Sequence, residues 1–457
     1  MKDKNVANRH NILFIMADQF RFDYLGCAGA DFVSTPNLDA LAQRGVRFNY
    51  CCTNSPICAP ARIGLATGLQ PSRVGAVDND AYLPLNVKTY YQRLRDYGYQ
   101  VGCTGKLDLA KPSTYNGRNG NRPCIYSYGF TLPVECEGKN HAFKFSEPMG
   151  PYGAYLESKG LYKKARDYRK SLKTFYERNA SDSNLEEEDF EDVYIGRRAV
   201  EWINNITNEY PWHLFVSFVG PHAPFDPPTS YAEQFRGKSV PAPVKDDYSG
   251  KPQYVKKKDR GLSDEEVEKT RRQYCAAIKV VDNQIGQIID TLKKRGMYDN
   301  TYIVFSSDHG EMLGDHGLYG KSVPYDPSIR IPLIAAGPGI KGGRVSDALV
   351  ELIDINPTIC ELAGLPPQNE IDAKSFCNVL YGESDQGREE MVNILSKFKC
   401  IRTREYKYIY NHNSIQELYD LKNDPDELNN IAYLNPELAE ELHDRMIKRY
   451  QEGKWLY

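Results

Sequence analysis

Short apolar runs recur along the chain at strand length, with longer stretches of helical periodicity between them. Ile12-Leu13-Phe14-Ile15-Met16-Ala17 is unbroken and ends in Asp18-Gln19, the pattern of a strand covered on both faces. Thr35-Pro36-Asn37-Leu38 reads as a helix start, with Thr35 as N-cap and Pro36 in the first helical position. The run Tyr99 to Thr104 follows a helix-like Thr89 to Asp96, and Trp212 to Val219 follows Val193 to Ile206. Tyr302 to Ser306 comes after a long helical segment, Asp264 to Lys294, and Ile331 to Ala335 comes next. Strands alternating with helices predict an α/β fold, a mostly parallel sheet with right-handed crossovers and helices on both faces.

The pattern weakens in three places. Lys111 to Lys144, rich in Gly, Pro, Asn and Tyr, reads as an insertion loop. Ser181 to Asp189 reads as a solvated helix start, its acids at the positive end of the dipole, and Pro224 to Pro252 as a proline-rich surface connection. After Leu365-Pro366-Pro367 the pattern changes: Lys399 to Tyr410 resembles a strand pair, Gln416 to Leu421 a short strand, and Asn435 to Tyr450 an amphipathic helix. The predicted division is residues 1–370 as the catalytic domain and 371–457 as a small α+β subdomain.

Composition narrows the classes. At 457 residues the chain exceeds the ~100–200 residues of one ordinary domain. Its 41% hydrophobic and 26% charged residues are those of a soluble globular protein. A formal charge of −3 shows no basic excess, so no nucleic-acid partner is expected. No stretch approaches the ~20 apolar residues of a membrane span, and the charged N-terminus lacks a signal peptide's long apolar region. Eleven scattered cysteines do not form a disulfide framework. The expectation is a cytoplasmic, reduced protein.

Two strand ends carry chemistry. Asp18-Gln19 closes the first strand, and Ser307-Asp308-His309-Gly310-Glu311 closes another, where open α/β sheets bind ligands. An Asp ending one strand ordinarily caps a helix. Two such ends offer Asp18, Gln19, Asp308 and His309 as oxygen and imidazole ligands to one divalent ion.

Cys58-Ala59-Pro60-Ala61-Arg62 resembles the Cys-x-Pro-x-Arg signature of the sulfatases, and Ser307 to Gly317 with Lys321 resembles that family's second signature. The likeness runs from Asn11 to about Glu427. It implies the alkaline-phosphatase-like α/β/α sandwich with a small antiparallel C-terminal sheet. It also implies that Cys58 is oxidised to formylglycine by a maturation enzyme, and that Asp18, Gln19, Asp308 and His309 hold Ca²⁺, with Mn²⁺ as the alternative. In a hydrated aldehyde one hydroxyl attacks sulfur, and deprotonation of the other expels sulfate. If Pro60 opens a helix, Cys58 lies at its positive end, and Arg62, about one turn on, can reach back. By the same resemblance Lys106 and Lys321 hold sulfate oxygens, and His222, in Gly220-Pro221-His222-Ala223-Pro224, faces the leaving oxygen as general acid. Asp78-Asn79-Asp80 is similar to a segment of choline-sulfatase-like and phosphonate-monoesterase-like members, which makes Asn79 a substrate-binding residue.

The chain departs from the family in two places. Ala61 stands where Ser is usual, and Asp108, counted with Asn79 among the substrate-binding residues, where a histidine usually contacts formylglycine; an Asp there would act as a base or leave that step to another group. Asp282, Glu417 to Leu421 and Asp424-Pro425 read as packing and turn elements, and His316 as a structural hydrogen-bonding group. The expected reaction is hydrolysis of an anionic sulfate ester, small molecule or glycan, to alcohol and sulfate. Its rivals are phosphonate monoester or phosphodiester hydrolysis on the same site, and a metal-binding homologue of low turnover. Oligomeric state is left open, a homo-oligomer included.

Overall fold

A computed structural model describes residues 9–172 and 180–451. Among them the expected sheet is present, eight-stranded: β1 (Asn11–Asp18), β2 (Val46–Cys52), β3 (Gln100–Gly105), β4 (Leu132–Glu135), β5 (Trp212–Pro221), β6 (Thr301–Ser307), β7 (Arg330–Ala336) and β8 (Arg344–Glu351). The spatial order is β4-β3-β5-β1-β6-β7-β2-β8. The pairs β4–β3, β3–β5, β5–β1, β1–β6 and β2–β8 are parallel, whereas β7 runs antiparallel to both β6 and β2. The five consecutive parallel strands β4, β3, β5, β1 and β6 therefore end along one rim. Everything chemical follows from that rim.

The strands at the centre are the ones the apolar runs announced. Every residue of β1 and β5 is buried, because apolar clusters cover both faces of the sheet. The long helix spans Asp264–Lys294 and opens with a capping box between Ser263 and Glu266. Thr35 does precede a helix, Pro36–Arg44, but its hydroxyl does not cap it. That hydroxyl accepts from the Gly26 amide and donates to Asp39. The helix start is satisfied instead by Asp282 of the long helix, whose carboxylate accepts the Asn37 and Leu38 amides.

Three other expectations are corrected. Lys111 to Lys144 is not a plain loop, since it holds a short helix, Pro123–Ser127, and β4. β4 has only four residues and pairs on one side alone, so its apolar signal is too short to stand out. Asp189 is buried, its carboxylate bound by Tyr155 and Lys159, and the following helix begins at Glu191. The segment after Pro224 is not wholly at the surface, because Phe225, Tyr231 and Phe235 enter the core.

The C-terminal part forms a four-stranded antiparallel sheet from β9 (Met391–Leu395), β10 (Phe398–Arg402), β11 (Tyr406–Asn411) and β12 (Glu417–Asp420). The helix Pro436–Gln451 covers it through Leu442, Met446 and Tyr450. No helix among the described residues is long and apolar enough to cross a membrane. All eleven cysteines are free.

Candidate active site

The rim brings Asp18, Lys106, His222, Asp308 and His309 to one place, since each stands at or just beyond the end of β1, β3, β5 or β6. Cys58 enters from the far side of the sheet order. It is the first residue of the helix Cys58–Thr67 that follows β2, so the helix starts two residues before Pro60. Its Sγ lies 3.2 Å from His309 Nε2 and 4.0 Å from Asp18 Oδ1. Asp18, Cys58, Asp308 and His309 each offer a donor atom, all within 4.8 Å of one another and all buried.

The groups behind these donors hold them in place. The Asp308 carboxylate accepts the Gln19 and His309 amides at 3.1 and 3.0 Å, and its other oxygen accepts Arg62 Nε at 2.8 Å. His309 Nδ1 lies 3.0 Å from the Gly310 carbonyl, which leaves Nε2 for the centre, the usual arrangement for a ligating imidazole. Gly105 has φ of +100°, and a Cβ there would lie 1.9 Å from the Ser217 carbonyl, so only glycine lets Lys106 follow β3 so closely.

Arg62 does not reach back along its helix to the thiol. Its Nη1 donates to the Lys106 carbonyl at 2.7 Å and the Ser217 hydroxyl at 2.8 Å, while Nη2 faces Asp18 Oδ2 at 3.5 Å. Nη2 has no hydrogen-bond partner although it is buried. Lys106 pairs with Asp18 and, at 3.1 Å, with Asp108. Lys321 donates to Gln19 Oε1, and Gln19 Nε2 donates to Glu311. The Gln19 side chain is thus spanned between an ammonium and a carboxylate. Asn79 Oδ1 accepts the Ala59 amide at 3.1 Å, which seats Asn79 over the start of the Cys58 helix.

Charge dominates the pocket. Burial by itself would raise the Cys58 thiol, yet the ammoniums of Lys106, Lys111 and Lys321 hold it well below its ordinary value. Burial and the neighbouring thiolate would raise the Asp18 carboxyl, and Lys106, His222 and Lys321 hold it below the usual carboxylate range. Asp108 is buried, has φ of +57°, and is kept ionised by Lys106 and Lys111, the latter at 2.7 Å. Asp108 is thus a counter-ion to two ammoniums. Burial, then Lys321, pushes the His222 imidazole down.

A match to the sulfatase family model extends over residues 10–365. The chain belongs to the sulfatase family. Sulfatases are sulfuric ester hydrolases, and this chain is an enzyme of that class. Residues 314–453 further match the model of the N-sulphoglucosamine sulphohydrolase C-terminal region, which takes in the small sheet. The chain is 30% identical to the choline-sulfatase of Rhizobium meliloti over 453 residues, 93% of this chain and 83% of that one. It is 27% identical to an arylsulfatase of Clostridium perfringens, over 98% of this chain and 97% of that one. Among solved structures it resembles the phosphonate monoester hydrolase of Agrobacterium radiobacter, with a TM-score of 0.80, 25% identity, and coverage of 97% and 96%.

The residues expected from the sulfatase resemblance thus converge, His222 by its place after β5 and its charge on Asp18, the others each with a named contact. Four others share the pocket unannounced. Lys111 belongs to the segment read as loop; its only signal was a place three residues after Asp108. Glu311 lay inside the second signature without a role. Ser217 is a small polar residue in an apolar strand, and the Arg62 bond gives it its place. His141 is close to Lys106: a Cβ on Gly138 would stand 3.4 Å from Lys106 Cε and 3.9 Å from His141 Nδ1. His316 has the structural part expected, with Nδ1 2.6 Å from Asp246 Oδ2 and its ring stacked on Tyr325.

Proposed function

We propose that this sulfatase hydrolyses sulfate monoesters through a formylglycine derived from Cys58, at one divalent-metal site. The observation that supports it is the placement of the Cys58 sulfur among Asp18, Asp308 and His309, with three ammoniums lowering its pKa. The donor set fits a hard or borderline divalent ion: two carboxylates and an imidazole whose tautomer is set by Gly310. Asp18, Asp308, His309 and Gln19 would hold that ion, Ca²⁺ or Mn²⁺, which would polarise the sulfate and acidify the nucleophilic hydroxyl. Gln19 would join that set if its Oε1 were freed from Lys321.

Converted Cys58 would supply a hydrated aldehyde: one hydroxyl would attack sulfur and displace the ester oxygen as alcohol, and proton loss from the other hydroxyl would then break the carbon–oxygen bond to sulfate, releasing it and restoring the aldehyde. Arg62 fixes Asp308 and the end of β3, so that Asp18, Asp308 and Lys106 keep one geometry. Lys106 and Lys321 hold the anion, and Asn79 contacts it from the start of the Cys58 helix. Asp108 keeps Lys106 and Lys111 together, in place of the family's usual histidine. His222 faces the leaving oxygen as general acid.

The test is mass spectrometry of the Cys58 peptide from protein co-expressed with a formylglycine-generating enzyme, followed by assays on aryl sulfates. Conversion with turnover, both lost in Cys58→Ala, is expected; unchanged activity in Cys58→Ala would remove the mechanism. The fold likeness to a phosphonate monoester hydrolase favours a second reading on the same groups. Sulfate and phosphonate esters are near-isosteric, and a larger kcat/KM on an aryl phosphonate monoester than on the aryl sulfate would make that the principal activity.

A further inference from the structure

The loop that carries His222 is poor in internal hydrogen bonds for a reason visible in its sequence. Pro221-His222-Ala223-Pro224-Phe225-Asp226-Pro227-Pro228 has four prolines in eight residues, and each lacks an amide hydrogen. Such a segment cannot build its own ladder, so its carbonyls must find donors elsewhere or stay unsatisfied. Within the loop only the Asp226 amide reaches back, to the Pro224 carbonyl at 3.0 Å.

The external donor to the His222 and Pro224 carbonyls is Lys139, from the stretch between β4 and the helix Pro151–Ser158. Its side chain is 3% exposed, with Nζ donating to the His222 carbonyl at 3.1 Å and the Pro224 carbonyl at 2.6 Å. It is paired with Asp226 Oδ1 at 2.9 Å, and Arg169 stands 3.5 Å from the other Asp226 oxygen. Across the strand end, Asp192 accepts the Val219 and Gly220 amides at 2.9 and 2.8 Å. One buried cation therefore grips the carbonyls on either side of Ala223, the residue whose own carbonyl the His222 ring contacts. The ring is turned by its own Nδ1 contact to the Ala223 carbonyl, at 2.6 Å, and it interacts with Cys58.

We propose that Lys139 is a positioning residue for the leaving-group side of the site: by clamping the His222 and Pro224 carbonyls it sets the imidazole where the ester oxygen departs. The inference rests on His222 being the general acid. As the S–O bond breaks, its electron pair stays on the ester oxygen, which takes the ring proton and leaves His222 neutral. A phenol of low pKa leaves without that proton, whereas an alcohol does not. Misplacing the ring must then show as a dependence on the leaving group rather than a uniform loss.

The experiment is kcat/KM of matured enzyme on aryl sulfates of rising phenol pKa, for wild type, His222→Ala, Lys139→Met and Lys139→Arg. A shallow slope is expected for wild type and a steep one for His222→Ala. Lys139→Met should lose roughly tenfold or more on the poorest leaving group and under about threefold on 4-nitrophenyl sulfate, with Lys139→Arg restoring the shallow slope. Adding Lys139→Met to His222→Ala should cost under about twofold more, because the two act as one unit. A uniform loss in Lys139→Met, or a wild-type slope, would overturn the proposal while leaving His222 as the acid. An unchanged slope in His222→Ala would instead remove the reading beneath it. Asp226→Asn, which leaves the lysine without its carboxylate, repeats the test if Lys139→Met is not recovered, with the same steepening to a lesser degree.

Discussion

The cluster that ties the small sheet to the large one and the cluster around Cys58 are built from the same side chains, Asp, Glu, Arg and Lys. At the junction, Arg402 grips both oxygens of Asp326, at 3.1 and 3.0 Å. Lys407 spends its three hydrogens on Asp326, Glu427 and the Pro324 carbonyl, at 2.6, 2.6 and 3.2 Å. The other Glu427 oxygen accepts the Asp326 amide at 2.7 Å. At the rim of the large sheet the accounting does not close. Arg62 Nη2 has no hydrogen-bond partner, Gln19 is pulled between Lys321 and Glu311, and the cations depress a thiol instead of meeting carboxylates alone. A closed network is a clamp; an open one, with a donor left without a hydrogen bond and convergent oxygens, is made for an anion and a metal.

Four measurements break or sharpen that contrast, from the largest effect down. Cys58→Ala should lower kcat by roughly 10⁴-fold or more with little change in denaturant midpoint, because it removes the nucleophile from an open network. Lys407→Met should do the reverse. Removing one partner of a buried network costs about 3–5 kcal/mol, read by urea denaturation, with turnover per folded molecule retained. A large loss of turnover with normal stability in Lys407→Met would mean that the junction takes part in the chemistry.

Chelation followed by titration with Ca²⁺ or Mn²⁺ comes next. Metal at about 100 times its dissociation constant should restore activity and add about 2.7 kcal/mol of stability, since Asp18 and Asp308 lose a counter-ion when it leaves. Lys407→Met should show the same metal-dependent increment, because the metal acts at the other cluster. The smallest effect is that of acid. Burial would raise Asp326, but Arg402, Lys407 and Arg330 hold its carboxyl far below the usual range. Its contribution is therefore complete above the unfolded value of about 3.9 and is lost only as pH falls toward the folded one. The denaturant midpoint should owe no pH dependence to Asp326 between about pH 8 and pH 5, then fall below about pH 4, and fall less steeply in Lys407→Met.

How much of this was legible depended on range. Asp18, Gln19, Asp308 and His309 follow apolar runs buried on both faces, so their placement at strand ends could be read from a few neighbours. The Cys58, Lys106 and Lys321 assignments rested on family likeness, and the structure puts all three in one pocket. β2 and β8 gave little signal, because polar residues such as Arg47, Asn49, Ser346 and Asp347 interrupt them near the far edge of the sheet.

The sequence by itself determined the alternation of strand and helix, the long capped helix and the chemical identity of the site, because these reside in local periodicity and in short motifs. Only the tertiary structure decided which partner each charge takes. It gave the start of the Pro36 helix to Asp282 rather than Thr35, tied Gln19 to Lys321 and Glu311, and brought Lys139 and His141 out of an apparent loop to the rim. The reason is that a buried charge or amide must be satisfied by whatever lies nearest in space, and those neighbours stand far apart along the chain.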